Sequence, residues 1–400
     1  MRNWHNEVMP DSDKSRCIRF GMVGGGAGSF IGPVHRMAAE LDGNIRLVAG
    51  AFSSDAGRSR EAGLHYGLSP ERSYSSYAAL FAGERQRDDG IDFVAIVTPN
   101  HLHLPVAKAA LEQGFHVLSD KPATATLAEG LTLRELVQRS GRLYGLTYTY
   151  TGYGLVREAR RICARGDLGA IRKVVVEYSQ GWLAERIEST GQRQAAWRCD
   201  PAQAGIGGCI GDIGVHAFNL LEFVTGLRVA EVAAQLSSVV PGRLLDDDCN
   251  VLLRLGNGAP AVLVASQIAA GERNGLTLKV YGERGGLAWS HDAPNRLTLS
   301  ALDGDTRILH GGANAPALGE VARAAFRLPL GHPEGYIEAF ANIYRDFAAL
   351  VRAGDTGSLQ SSLVPTIDAG LRGMAFVDAA VRSSRAGSAW TAVNESPGIG

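Results

Sequence analysis

Short apolar segments alternate with alanine-rich segments from residue 17 to about residue 145. Some segments, such as DFVAIVT at 92–98, are apolar almost throughout, which is typical of strands buried on both faces of a sheet. Alternation of such strands with helices predicts a parallel sheet covered by helices. We count six strands and predict an α/β, doubly wound domain over residues 17–148.

The pattern changes after a helix predicted over residues 155–165. Strand-like segments then follow one another without crossover helices, interrupted by a glycine-rich entry into a helix at about 203–225. Two helices are predicted near the end, over 335–352 and 365–383. We therefore predict a second, α+β domain over residues 149–390, with an open and mostly antiparallel sheet. An uncovered sheet face usually marks a protein interface, so we expect a homodimer or homotetramer.

Composition narrows the class of protein. A chain of 400 residues exceeds one ordinary core, and 45% hydrophobic with 20% charged residues is typical of a packed globular protein. The net charge of -1, without blocks of like charge, argues against a nucleic-acid partner. Residues 1–16 are polar and contain no apolar run, so we expect a frayed tail, no membrane partner and a cytoplasmic protein.

The five cysteines do not form a recognisable motif. They are odd in number and lack CxxC spacing, so we expect reduced thiols packed as small apolar groups. His101 and His103 lack a third ligand at fitting spacing, and we predict no metal site.

A glycine-rich stretch, GMVGGGAGSFIG at 21–32, stands between the first strand and the first helix. A strict G-x-G-x-x-G pattern fails, because counting from Gly24 its last position is Ser29. Backbone free of side chains at a helix N-terminus nevertheless suits a pyrophosphate, and a flexible surface turn is the alternative. The predicted cofactor contacts in this stretch are Gly24, Gly26, Gly28, Ser29, Phe30 and Ile31.

The end of the second predicted strand would distinguish NAD from NADP. An acidic residue there usually holds the ribose of NAD, but the chain reads Ala51-Phe52-Ser53-Ser54-Asp55, followed by Arg58. Ser53, Ser54 and Arg58 could accept a 2′-phosphate, although Arg58 is equally well explained as a solvated helix charge. We predict NAD or NADP without deciding between them.

Two later loops follow strands of the predicted parallel sheet, at the edge where such sheets bind ligands. A lysine held near a cofactor can exchange a proton with a substrate hydroxyl, and an exposed lysine in a turn is the alternative. The predicted cofactor contacts from these loops are Thr98, Pro99, Asn100, His103, Asp120, Lys121 and Pro122.

A third motif, GGCIGDIGVH at 207–216, begins the helix predicted in the second domain. Asp212 and His216 are four residues apart and so fall on one helix face. A carboxylate beside a histidine suits a proton relay at neutral pH, while an ordinary surface pair or a buried histidine would have the same spacing.

In order and spacing, these motifs make the chain resemble the Gfo/Idh/MocA family of NAD(P)-dependent oxidoreductases over about residues 17–385. The resemblance implies a Rossmann domain followed by a domain with an open sheet. The family's E-K-P motif matches Asp120-Lys121-Pro122, and its G-G-x-x-x-D-x-G-x-H motif ends at Asp212 and His216. It implies that Lys121, Asp212 and His216 are catalytic and bind substrate, with either Lys121 or His216 as the immediate base.

The resemblance also has two departures. Asp120 replaces the usual glutamate, and Tyr148 or Thr149 stands where relatives often have an asparagine near the cofactor amide. Further substrate contacts are predicted at Trp197 and Arg198, then Tyr178, Trp182 and His332, although Trp197 could equally be a core residue.

The implied function is hydride transfer between nicotinamide and a carbinol of a sugar, glycoside, inositol or related polyol. The alternatives are a cofactor-sensing regulatory protein, and a lyase or glycosidase that uses NAD transiently.

Overall fold

The computed structural model describes residues 16–354 and 357–395. The predicted tail lies outside this part except for Arg16, whose guanidinium donates to Asp92. Two sheets organise the chain, one in each half. The exact domain limits at 148 and 390 stay predictions.

The first sheet is parallel throughout, in the order β2-β1-β3-β4-β5. It has five strands rather than the predicted six. The edge beyond β5 is instead occupied by an isolated antiparallel bridge between Gly145 and Thr366, and the chain leaves the sheet in a 3-10 turn, Thr149–Gly152. The strands are β1 (Ile18–Gly24), β2 (Ile45–Ala51), β3 (Phe93–Val97), β4 (His116–Ser119) and β5 (Tyr144–Leu146).

Helices cover both faces of this sheet, as the alternating pattern predicts. One of them comes from the other half of the chain: α11 (Tyr336–Ala353) packs Phe347 edge-on against Phe93 of β3, at 5.3 Å between ring centroids. Tyr344 of the same helix bonds to buried His35 of α1 at 2.7 Å. The other helices around this sheet are α1 (Ile31–Glu40), α2 (Ala56–His65), α3 (Tyr77–Arg85), α4 (His103–Glu112) and α5 (Leu127–Ser140).

The second sheet has nine strands in the order β13-β12-β11-β10-β6-β9-β8-β7-β14, and only the β6–β9 pair is parallel. The predicted open, mostly antiparallel sheet is therefore confirmed. Its strands are β6 (Ile171–Ser179), β7 (Val229–Ser237), β8 (Asp248–Leu255), β9 (Pro260–Ser266), β10 (Gly275–Gly282), β11 (Gly285–Ser290), β12 (Arg296–Ala301), β13 (Thr306–His310) and β14 (Thr391–Ala392).

Three helices cover one face of this sheet: α6 (Gly154–Ala164), α9 (Val215–Thr225) and α12 (Ile367–Arg385). Phe218 of α9 stacks on Phe376 of α12 at 4.4 Å. Residues alternate along β8, where Val251 and Leu253 are buried and Leu252 between them is 53% exposed. The remaining short helices are α7 (Arg193–Arg198), α8 (Pro201–Ala204) and α10 (Glu320–Arg323).

Among the helices of these described ranges, none combines the length and the apolar character needed to cross a bilayer.

Candidate active site

A cavity of about 440 Å³ opens at the carboxyl end of the parallel sheet. Its walls come from both halves of the chain: the loops after β1, β2, β3 and β4 on one side, and α7 with Asp212 on the other. The lining residues are Gly24, Gly25, Gly26, Ala27, Gly28, Ser29, Ile31, Phe52, Ser53, Ser54, Arg58, Val97, Thr98, Pro99, Asn100, Asp120, Lys121, Arg193, Gln194, Trp197, Arg198 and Asp212.

The glycine-rich loop forms one wall of this cavity and admits no side chains at two positions. A Cβ on Gly24, whose φ is +87°, would lie 2.4 Å from the carbonyl oxygen of Val97, and one on Gly26 would lie 2.5 Å from that of Phe52. The backbone therefore packs directly on the ends of β3 and β2, immediately before α1. This bare backbone beside a helix N-terminus fits the pyrophosphate of a dinucleotide.

Three residues predicted to contact the cofactor do not line the cavity: Phe30, His103 and Pro122. Phe30 is 69% exposed. His103 is 1% exposed, and its ring nitrogens lie 2.6 Å from the carbonyl oxygen of Pro122 and 2.9 Å from that of Thr98. It therefore ties together the two loops that carry the lining residues. The other thirteen predicted cofactor residues line the cavity.

Lys121 is fixed in the cavity by Asp212. The lysine Nζ lies 2.8 Å from Asp212 Oδ1, and Asp212 Oδ2 accepts from Arg198 Nε at 3.1 Å and from Gln267 Nε2 at 2.9 Å. Burial alone raises the pKa of Asp212, but the charges of Lys121 and Arg198 outweigh it and hold that pKa well below its usual range. The carboxylate is therefore ionised at neutral pH.

A π-helical turn, Ile210–Gly214, carries Asp212 and leads into α9. The carboxylate of Asp246 accepts from the backbone N–H groups of Gly208 and Ile210, each at 2.7 Å, and so anchors the start of this turn. The four-residue spacing of Asp212 and His216 predicts that both lie on one face of an α-helix. That prediction is wrong here, because the π-helical turn is wider than an α-helical turn.

His216 does not share a hydrogen bond with Asp212, contrary to what their spacing suggests. Its Nδ1 is buried without a hydrogen-bond partner in the described part of the chain. Its ring lies among those of Tyr148, Tyr150 and Tyr178, at 5.1–6.3 Å between centroids. Burial and the charge of Lys121 lower the pKa of His216 to about 3, so the imidazole is neutral at neutral pH.

Four of the predicted substrate residues line the cavity, and His216 does not; the four are Lys121, Trp197, Arg198 and Asp212. The Arg198 guanidinium lies 4.2 Å from the centre of the Trp197 ring. Trp182 lies beside them, 5.9 Å from the same guanidinium. Tyr178 is buried and bonds to Asn274 at 2.7 Å. His332 is exposed before α11 and does not line the cavity; its ring contacts only the nearby carbonyl of Pro329 among the hydrogen bonds of the described residues.

Both halves of the chain match models of one protein family. Residues 18–148 match the model described as oxidoreductase family, NAD-binding Rossmann fold, and residues 156–288 match the GFO/IDH/MocA C-terminal domain. The chain belongs to the Gfo/Idh/MocA family. As a member, it is an NAD(P)-dependent oxidoreductase, and its cofactor is NAD or NADP.

Members of the Gfo/Idh/MocA family resemble the chain over most of its length. The uncharacterized oxidoreductase YfiI of Bacillus subtilis is 35% identical over 382 residues, covering 94% of this chain and 97% of YfiI. Levoglucosan dehydrogenase of Pseudarthrobacter phenanthrenivorans is 25% identical over 313 residues, covering 71% of this chain and 76% of that dehydrogenase.

An inositol dehydrogenase homolog of Azotobacter vinelandii provides a structural comparison. Its complex with NAD+ matches with a TM-score of 0.91 at 36% identity, over 96% of this chain and 100% of the homolog. Its complex with NADH and myo-inositol matches with a TM-score of 0.87 at 36% identity, over 94% and 98%.

The departures from the Gfo/Idh/MocA pattern fall at defined places in the site. Asp120, in place of glutamate, lines the cavity, and its Oδ1 accepts from the backbone N–H of Lys121 and from Thr147 Oγ1, both at 2.9 Å. Tyr148 and Thr149, in place of asparagine, are each about 1% exposed and do not line the cavity. Neither residue therefore presents a side chain to the cavity.

Sequence reasoning missed several lining residues, notably Arg193 and Gln194, and missed the positioning of Asp212 by Gln267. No spacing signal marks these residues, since they reach the site from α7 and from the segment after β9.

Two cysteines also form an unexpected cluster with an aspartate: the ligand-type atoms of Cys209, Cys249 and Asp246 all lie within 4.8 Å of one another. Cys249 Sγ donates to Asp246 Oδ2 at 3.1 Å, and burial raises the pKa of both thiols. Both thiols are free and buried in the core, as expected, and the hydrogen bond of Cys249 to Asp246 is an additional contact that the sequence did not predict.

Proposed function

We propose that the chain is a dehydrogenase that transfers a hydride between nicotinamide and a carbinol of a sugar, glycoside, inositol or related polyol. The observation that carries this proposal is the Lys121 amine, held 2.8 Å from Asp212 in the cavity that also contains the glycine-rich loop. The relatives named for inositol and levoglucosan support this substrate class.

The cofactor site is proposed from the lining residues. The loop at Gly24, Gly26 and Gly28 would hold the pyrophosphate, and Ser53, Ser54 and Arg58 would face the adenosine ribose. A bound nicotinamide supplies the hydride acceptor or donor. Thr98, Asp120 and Lys121, at the ends of β3 and β4, would line the opposite end of the cofactor.

We assign Lys121 Nζ to proton exchange with the substrate hydroxyl: the neutral amine would accept the hydroxyl proton during oxidation, and the ammonium would return it during reduction. Asp212 holds this amine in position and balances its charge. The pKa of His216, at about 3, makes its imidazole a poor proton acceptor at neutral pH. His216 does not line the cavity, so we assign it, as a neutral group whose pKa burial and the nearby charge of Lys121 lower, to the surroundings of Lys121 rather than to proton exchange.

Trp197 and Arg198 are the proposed substrate contacts on the opposite wall. An indole ring next to a guanidinium combines an apolar face with hydrogen-bond donors, which suits a sugar or polyol. Arg198 also bonds to Asp212, so the substrate contact and the proton-exchange group are mechanically linked.

The proposal is tested by measuring cofactor reduction with NAD and NADP separately against a panel of sugars, glycosides and inositols. Net formation of reduced cofactor with one of these classes is the expected result. Turnover without net change of the cofactor would favour a lyase or glycosidase that uses it transiently. Cofactor binding without any turnover would favour a regulatory protein.

We also propose that copies of the chain associate through the exposed face of the nine-stranded sheet. Leu252, Tyr281 and Ile308 of this sheet are each at least 44% exposed. A dimer or tetramer by light scattering is expected, and a monomer would contradict this part of the proposal.

A further inference from the structure

Four cationic side chains line the cavity, and three of them already have a carboxylate partner. Lys121 and Arg198 both bond to Asp212, and Arg58 Nε lies 3.8 Å from the carboxylate of Asp55. Arg193 has no carboxylate partner within residues 16–354 and 357–395. Its Nη1 instead donates to the backbone carbonyl of Ala27 at 3.4 Å, a long and weak hydrogen bond.

Arg193 begins α7, in the segment that crosses from the second sheet to the glycine-rich loop. Gln194 beside it donates to the carbonyl of Gly28 at 3.3 Å. A Cβ built on Gly28 would lie 3.6 Å from Arg193 Nη1. The guanidinium therefore lies against the tip of the glycine-rich loop, where the backbone fits a pyrophosphate.

We propose that Arg193 is an ion-pairing ligand of the cofactor pyrophosphate, supplied by the second half of the chain. A guanidinium presents several N–H donors in one plane and pairs with phosphate oxygens through two of them at once. Arg193 Nη1 can exchange its hydrogen bond to Ala27 for one to a phosphate oxygen at little cost in free energy, because the bond to Ala27 is long and exposed. Binding of the dinucleotide thereby draws α7 towards the loop after β1.

This inference rests on dinucleotide binding within the proposed function and is independent of the substrate. Its test uses calorimetric titrations of the full chain with NADH and with ADP-ribose, and competition with adenosine, which lacks phosphate. The variants are Arg193→Gln, Arg193→Lys and the control Arg186→Gln. Arg186 is an exposed arginine of the same segment that does not line the cavity.

Arg193→Gln is expected to weaken binding of NADH and ADP-ribose roughly three- to tenfold at low salt, since the charged contact stays partly exposed. The difference from the unmodified chain shrinks as salt is added, because screening weakens the ion pair. Adenosine binding and the Arg186→Gln variant stay unchanged. Arg193→Lys keeps the positive charge but lacks the planar guanidinium. Its affinity for NADH and ADP-ribose should lie between those of the unmodified chain and Arg193→Gln.

Two results would overturn the assignment. In one, Arg193→Gln binds ADP-ribose with unchanged affinity at low salt. In the other, it weakens adenosine as much as ADP-ribose, so that the arginine merely holds α7 in place. Failure of the unmodified chain to bind either NADH or ADP-ribose would instead contradict the cofactor site itself, and with it the proposed function.

Discussion

Lys121 donates to Asp212 twice, from Nζ to the carboxylate oxygen Oδ1 at 2.8 Å and to the backbone carbonyl oxygen at 2.6 Å. The two residues are 91 positions apart and belong to the two halves of the chain. The amine at the end of the parallel sheet is thus positioned by a turn of the second domain. Side chains that hold Asp212 consequently control the placement of Lys121.

Gln267 is the most buried of these side chains, at 2% exposure, and its Nε2 donates to Asp212 Oδ2 at 2.9 Å. Gln267→Leu removes this bond while the lysine contact remains. We expect kcat to fall about tenfold, with little change in the KM for cofactor, because loss of one buried hydrogen bond loosens the carboxylate. Steady-state kinetics check this split, and an unchanged kcat would contradict a positioning role.

Gly24 and Gly43 both have positive φ but differ in the space around them. A Cβ on Gly24 would lie 2.4 Å from the carbonyl oxygen of Val97, while one on Gly43 meets nothing within 4 Å. Gly43→Ala should cost only the backbone strain, about 1–2 kcal/mol. Gly24→Ala should in addition displace the loop and raise the Kd for NADH at least about tenfold. Equal NADH affinity in the two variants would refute the assignment of this loop.

Asp246 anchors the turn that carries Asp212 through two backbone N–H groups. Asp246→Ala leaves both donors without this partner and should lower the free energy of unfolding by about 2–4 kcal/mol. The control Asp248→Ala removes a carboxylate that accepts from Asn250 at the surface and should change little. Urea unfolding of the two variants gives the comparison. A loss for Asp246→Ala no larger than for Asp248→Ala would be inconsistent with the anchor.

The lowered pKa of His216 predicts a pH-dependent stability. The unfolded chain binds a proton at this histidine as the pH falls below 6.5, whereas the folded chain does so only near pH 3. The free energy of unfolding should therefore decrease as the pH falls between these values. His216→Asn should reduce the dependence of the free energy of unfolding on pH. Burial also lowers the pKa of His116, to about 4, but this histidine contributes equally in the unmodified chain and in the variant. Parallel pH profiles from chemical unfolding would contradict an imidazole that the folded chain holds neutral.

Strong local patterns made much of the fold predictable. The apolar run of β3 points to a buried strand, and the position of the glycines between β1 and a helix favours a phosphate-binding loop over a surface turn. The two motifs carrying Lys121 and Asp212 are brought to one cavity as expected. Strands β13 and β14 were not predicted. Strand β13 is largely exposed and so lacks an apolar pattern, and β14 has only two residues.

The missed features depend on contacts distant in sequence. The π turn at 210–214 is anchored by Asp246, 36 residues beyond Ile210, so local helix spacing placed Asp212 and His216 in a direct pair that they do not make. Arg193 and Gln267 enter the site only because the second sheet and α7 return to the parallel sheet. Neither residue lies in a motif.

Lys121→Met tests most directly whether Lys121 exchanges the proton during hydride transfer. Lys108→Met is the matched control, since Lys108 is an exposed lysine of α4 that lies 3.9 Å from Glu112. The measurement is the rate of cofactor reduction with an active polyol, together with NADH affinity. We predict that Lys121→Met loses at least about 100-fold in kcat while binding NADH within about threefold of the unmodified chain. Near-normal kcat in Lys121→Met would contradict the account.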